Sequence, residues 1–375
     1  MKVIVNRVQT LLDYTDLFIT QFPVGLESRV EKVIERIENH FTKVCMIGIW
    51  GMGGSGKTTI AKSVYNRIYR TFIGKSFIEN IREVCDGVSR SHIHLQENLL
   101  SDVLKSKLHL KNIPMGTNTI MKELSRKRVN GLKLHLLIVL DDVNEFDQLE
   151  AIFGNGEWLG EGSVVIITTR DVGLLKRLKV DYVYKTEEMN ENESFELFSW
   201  HAFKEEKPIE DFNDVARNVV GYCRGLPLAL EVLGTYLSER KKKEWKSVFS
   251  KLKIIPNKQV QEKLRISFDG LSDEVEQDIF LDICCFFIGK ERGYVTEILN
   301  GCGLRGDIEI RVLIERALIR VERNNKLGMH PLLRDMGREI IRERWPVEPE
   351  NRSRLWFDDD VKDILTSNTV RTFFI

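Results

Sequence analysis

Residues 51–59 read GMGGSGKTT, between an apolar run at 45–50 and an amphipathic pattern that starts at Ile60. No other segment limits the fold so tightly. The spacing G-x-x-x-x-G-K-[ST] is met by Gly51, Gly56, Lys57 and Thr58. Such a loop works only between a strand and a helix. Its glycines let backbone N–H groups turn inward around phosphate oxygens, and the helix aims its positive end at the same anions. Gly53, Gly54, Ser55 and Thr59 complete the cradle. Lys57 is placed to reach the β- and γ-phosphates and the Thr58 hydroxyl to ligate Mg²⁺. The loop implies a bound nucleoside di- or triphosphate and leaves open what the binding is for.

Four further apolar runs, at 76–78, 136–140, 164–168 and 182–184, alternate with helical patterns. Continuous apolar strands separated by helices predict a parallel sheet covered on both faces. Ile60, Val64 and Ile68, with Ala61 and Tyr65 beside them, form the buried stripe of the helix after the loop. Past residue 186 the pattern is helical only. Phe195, Phe198 and Ala202 share one stripe, and Leu226, Leu230, Leu233 and Leu237 another, with Pro227 near a helix start where its missing N–H costs little. A hairpin is expected at 317–321 and 326–329, turned by Asn324 and Asn325. Helices followed by a hairpin suggest a winged helix. The chain therefore reads as α/β: an N-terminal linker at 1–22, a parallel-sheet nucleotide-binding domain at 23–188, a helical bundle at 189–256, a winged-helix domain at 257–345, and a connector at 346–375 opened by Pro346 and Pro349.

In open α/β sheets ligands sit beyond the carboxyl ends of the strands. The phosphate loop, Asp141 and Arg170 each fall at such an end. An acidic residue there holds Mg²⁺ in phosphate-loop proteins, so Asp141 is the candidate metal residue beside Thr58. A second carboxylate can orient or deprotonate water, which makes Asp142, with Lys57, the candidate catalytic pair. The guanidinium of Arg170 can reach a γ-phosphate and so distinguish triphosphate from diphosphate. Alternatively it is a surface arginine paired with Asp171. Read alone, Pro227 marks a helix entry and His330 a strand end.

Composition excludes more than it suggests. Lys+Arg and Asp+Glu both number 56, so no strongly charged partner is implied. The six cysteines show no C-x-x-C spacing and read as reduced. No apolar stretch approaches the ~20 residues of a membrane span. Asn6, Arg7 and Gln9 interrupt the N-terminal apolar residues, unlike a signal peptide. A cytoplasmic, or nuclear, location is expected.

Together, GIWGMGGSGKTT, LLIVLDDV, GSVVIITTRD, GLPLAL and MHPLLRDMGREII, in that order, resemble the NB-ARC region of plant disease-resistance receptors. The likeness runs from FPVGLESRV near residue 22 to RSRLWFDDD near 352. Asn144 after LLIVLDDV, with FLDICCFFIGK at 280–290, looks like the TIR-type branch. Such receptors carry a TIR domain before this region and leucine-rich repeats after it, and neither is among these 375 residues. The resemblance implies a switch. ADP holds the closed state, ATP favours an oligomerising state, and an effector or host partner is recognised through the repeats. By position, Val24 and Gly25 would line the adenine, Gly53 to Thr59 the phosphates, Pro227 the base, and His330 the β-phosphate of ADP. One departure stands out: the family pattern is Met-His-Asp, and here the third residue is Pro331. Two other readings stand beside the switch: a turnover ATPase, which uses the same residues, and a nucleic-acid-binding regulator that would use the winged-helix segment, against which the zero net charge argues.

Overall fold

In the computed structural model, β1 (Cys45–Trp50), β2 (Gly74–Ile78), β3 (Leu136–Val143), β4 (Val164–Thr169) and β5 (Tyr182–Lys185) form one sheet in the order β2-β3-β4-β1-β5. Every pairing in it is parallel. The structure describes residues 16–367 except 40–42, 87–89, 107, 127, 130–131, 134, 155, 253–254 and 345–348. Asn6, Arg7, Gln9 and Pro346 fall outside the described residues.

The reason for continuous apolar strands is visible in β3. Leu137 and Val139 pack to one side, with Val30, Val33 and Ile37 of α1 (Glu27–Glu38) and Ile60, Ala61 and Val64 of α2 (Lys57–Ile68). Leu136, Ile138 and Leu140 pack to the other, among helices 91–104, 113–126, 146–153 and 172–178. Successive side chains of a strand point to opposite faces, so covering both faces requires both sets to be apolar. The chain at Leu17 joins α2 through a reciprocal pair: Leu17 N–H donates to Asn66 Oδ1 at 2.9 Å, and Asn66 Nδ2 donates to Leu17 O at 2.7 Å.

Two compact units are present. One runs to Gly51 and from Gly56 to Glu187; the other takes Met52–Ser55 and the chain from Glu188 onward. The second unit begins with helices Glu191–Phe203, Asn213–Cys223, Pro227–Leu237 and Lys242–Leu252. The stripe of Leu226, Leu230, Leu233 and Leu237 is buried. Trp245 is 1% exposed, with its ring 5.8, 5.4 and 5.0 Å from those of Phe198, Phe203 and Phe212. Its Nε1–H donates to Leu237 O at 3.0 Å, which lets an indole be buried whole.

Further helices lead to an antiparallel hairpin of Arg320–Val321 and Leu327–Gly328, then to Pro331–Arg344, where Leu333, Met336 and Ile340 are buried as the periodicity predicts. The hairpin turn uses Asn325 at φ +58°, a conformation asparagine tolerates. All six cysteines are unpaired. Among the described residues, no helix is long and apolar enough to cross a membrane.

Candidate functional site

β1 delivers the chain to the phosphate loop, and two glycines bend it. Gly54 has φ +75° and Gly56 φ +85°, values that L side chains rarely adopt. Gly56 is also the N-cap of α2, so no capping side chain uses the first-turn N–H groups. Those donors are what an anion binds at a helix start. Lys57 is buried, and its Nζ donates to Gly51 O at 2.9 Å. Burial pulls this ammonium down to about 7, with Arg170 adding to the fall and Asp142 and Asp141 opposing it.

Asp141 is fully buried on β3. Its Oδ1 accepts from Thr58 Oγ1 at 2.8 Å and from Thr168 Oγ1 at 2.7 Å. Its Oδ2 is buried without a hydrogen-bond partner among the described residues. Burial raises this carboxyl, and the two threonine hydroxyls only partly offset that. A buried oxygen left open beside a threonine hydroxyl is a hard, anionic donor set, and it fits a magnesium ion. Bound there, the ion would supply positive charge to phosphate oxygens.

Asp142 differs from the sequence expectation in its setting. The strand does not stop at Leu140. It continues to Val143 through a register shift, with Asp142 at φ +58°. Asp142 N–H donates to Thr168 Oγ1 at 2.8 Å, which sets the direction of the side chain. The carboxylate lies between two guanidiniums. Arg82 Nη2 and Nε reach Oδ2 at 2.5 and 3.0 Å, and Arg170 Nε lies 3.6 Å from Oδ1. Burial alone would raise this carboxyl, but Arg170, Arg82 and Lys57 outweigh it and hold it below the ordinary carboxylate range. Arg170 in turn is lowered, because burial outweighs the attraction of Asp142 and Arg82 repels it. An ion-paired carboxylate with a lowered pKa is a poor proton acceptor.

Arg170 is therefore no plain surface arginine. Asp171 instead caps the following helix, its Oδ1 accepting from Gly173 N–H at 2.7 Å. The backbone of Arg170 is held as well, since Trp50 Nε1–H donates to its carbonyl at 3.2 Å.

Sequence reasoning passed over Arg82. The strand-end rule that selects Asp141 and Arg170 selects it too. β2 ends at Ile78, Asn80 turns the chain at φ +54°, and Arg82 sits in the short helix Ile81–Cys85.

The remaining candidates are placed as follows. Val24 and Gly25 form a turn before α1, with Val24 N–H donating to Phe22 O at 3.0 Å and Arg29 donating to Gly25 O. In the second unit, Leu228 N–H donates to Gly54 O at 3.2 Å. A Cβ on Gly54 would lie 2.6 Å from that of Leu228, so Gly54 is needed both for its φ and for this approach. Pro227 is the first residue of the adjoining helix. His330 is 3% exposed. Its Nδ1 accepts from Leu332 N–H at 3.2 Å, and its Nε2 lies 3.3 Å from Arg224 O. The accepting Nδ1 leaves the proton on Nε2, a neutral ring. Burial holds the histidine below its ordinary value, against the pull of Glu188.

This geometry meets known proteins at several levels. Residues 26–208 match the NB-ARC domain, and residues 273–345 match the Roq1-like winged-helix domain of disease resistance proteins. The chain carries an NB-ARC domain followed by a Roq1-like winged-helix domain. It is 42% identical to the disease resistance protein RUN1 of Vitis rotundifolia over 92% of this chain and 25% of that protein. It is 36% identical to the TMV resistance protein N of Nicotiana glutinosa over 98% of this chain and 32% of that protein. The NB-ARC chain thus spans about a quarter to a third of these curated relatives. Among solved structures, a Walker-type ATPase of Pyrococcus abyssi shares the fold, with a TM-score of 0.56 at 15% identity over 84% of this chain and 96% of that one.

Proposed function

We propose that this NB-ARC chain is the nucleotide switch of a plant intracellular immune receptor, acting in the cytoplasm or nucleus. ADP holds its resting state, and exchange for ATP with Mg²⁺ favours an oligomerising state. The observation that carries this reading is the division of labour between adjacent carboxylates. Asp141 keeps an oxygen open beside Thr58, where Mg²⁺ would sit, while Asp142 is committed to two arginines. Such a site is built to sense phosphates more than to deprotonate water. Lys57 and the N–H groups of 53–59 hold the phosphates, Arg170 contacts the γ-phosphate, Val24, Gly25 and Pro227 face the base, and His330 belongs to the ADP state. Recognition of an effector or host partner falls to other parts of the receptor.

The test is the content of the purified protein. Denaturation should release ADP in near-stoichiometric amount, with steady-state ATP turnover slow. An empty site, or rapid turnover, would overturn the switch reading, the latter in favour of a working ATPase.

A further inference from the structure

We infer that Arg82 is a second cation of the site that receives the terminal phosphate, and that Asp142 is the counter-ion that positions it beside Arg170. This rests on the nucleotide reading above and goes beyond it, because neither residue then acts by moving a proton.

Three observations carry it. Arg82 approaches a single carboxylate oxygen through both Nη2 and Nε, and Arg170 approaches the other oxygen. The side chains of Arg82, Asp142 and Arg170 are 17%, 18% and 17% exposed, so solvent screens them poorly. Finally, Ile78 at the end of β2 pairs with Leu140 of β3, which brings the segment bearing Arg82 beside Asp141 and Asp142.

Charge and shape then point to a ligand. Three cations, Lys57, Arg82 and Arg170, face two carboxylates, Asp141 and Asp142. A guanidinium fork fits a phosphate as it fits a carboxylate. A terminal phosphate would therefore take over N–H groups that Asp142 now holds. With diphosphate alone, Asp142 keeps the arginines paired. Asp142 is fitted to this by its backbone: the left-handed conformation and the bond to Thr168 aim its carboxylate between the two arginines. A purely structural ion pair would behave differently, because its loss would weaken both nucleotides alike.

The experiment compares binding of ADP and of a non-hydrolysable ATP analogue, each with Mg²⁺, to the whole chain. Arg82→Gln should lose about tenfold or more in affinity for the triphosphate analogue and no more than about threefold for ADP. Arg82→Lys, which keeps the charge without the fork, should fall between wild type and Arg82→Gln, and it decides the matter if Arg82→Gln fails to fold. Asp142→Asn should raise the triphosphate-to-diphosphate affinity ratio, because it releases the arginines. Equal loss of both nucleotides, or no loss of either, in the arginine variants overturns the role of Arg82. An unchanged ratio in Asp142→Asn overturns the counter-ion role. Wild-type protein that binds neither nucleotide overturns the switch reading itself, a result distinct from both.

Discussion

Asp141 and Asp142 are neighbours of identical chemistry, and their surroundings give them opposite characters. Asp141 is fully buried and raised; Asp142 is clasped by arginines and lowered. Environment decides a carboxylate's role, and one left-handed residue in a bulge is enough to separate these two. Histidines show the same dependence. His201 packs against Thr235, its Nδ1 3.3 Å from the hydroxyl, and burial, with Lys204, holds it below the ordinary histidine value. It is neutral when folded and takes up a proton at about 6.5 when unfolded. The unfolded state then binds more protons at low pH, so this contribution is present above about 6.5 and is lost as pH falls through the lower, folded value. Urea melts should therefore show stability dropping between pH 7.5 and 5.5, and His201→Gln should flatten that slope. An equally steep slope in the variant would refute the assignment.

Elements transmit these residue effects through packing. Trp245 closes the aromatic cluster of the second unit, and Trp245→Ala should cost about 3–5 kcal/mol there by leaving a cavity. Chemical denaturation followed by far-UV circular dichroism measures this, and a loss below about 1 kcal/mol would mean that the cluster is not the core of that unit. The helix Pro331–Arg344 starts with a different economy. Leu333 and Arg334 donate to His330 O, Leu332 donates to His330 Nδ1, and Pro331 has no N–H to satisfy. The start is well capped, yet it lacks the carboxylate of the related pattern, which would also favour the positive end of the helix. We expect Pro331→Asp to slow release of bound ADP, followed by exchange with a fluorescent analogue. Equal rates would sink that expectation.

For the whole molecule the question is how far nucleotide alone can move a switch. Reversing a population from 1:99 to 99:1 takes roughly 5.5 kcal/mol of differential binding. Typical couplings are about 1–3 kcal/mol. In the proposed switch, a terminal phosphate contacting one or two arginines would supply coupling of the typical size, short of the larger figure. We therefore expect ATP with Mg²⁺ alone to leave this chain without a stable oligomer in light scattering after size exclusion. A discrete oligomer formed by ATP alone would refute this and remove the need for a second input.

Much of this protein was legible in its sequence, because its signals are local and periodic. The loop at 51–59 names its own chemistry. The apolar runs at 45–50, 136–140 and 164–168, alternating with helical patterns, read as covered parallel strands, and the leucine stripe from 226 to 237 as a packed helix. Pro331 and Pro227 mark helix starts, since proline costs least there. Tertiary structure decided which side chains meet. The strand end at Ile78 marks the segment of Arg82 as one near the site, but only the fold pairs Arg82 with Asp142, sixty residues on, and nothing around Asp142 foretells the bulge that turns it. Contacts of that kind come from sheet order: β2 lies beside β3 and β3 beside β4, so residues far apart in sequence meet at the carboxyl ends of neighbouring strands. The sequence determined a phosphate-binding type of loop between a strand and a helix. The folded sheet decided which charges gather beside that loop, because the electrostatics of a buried site depend on distance in space.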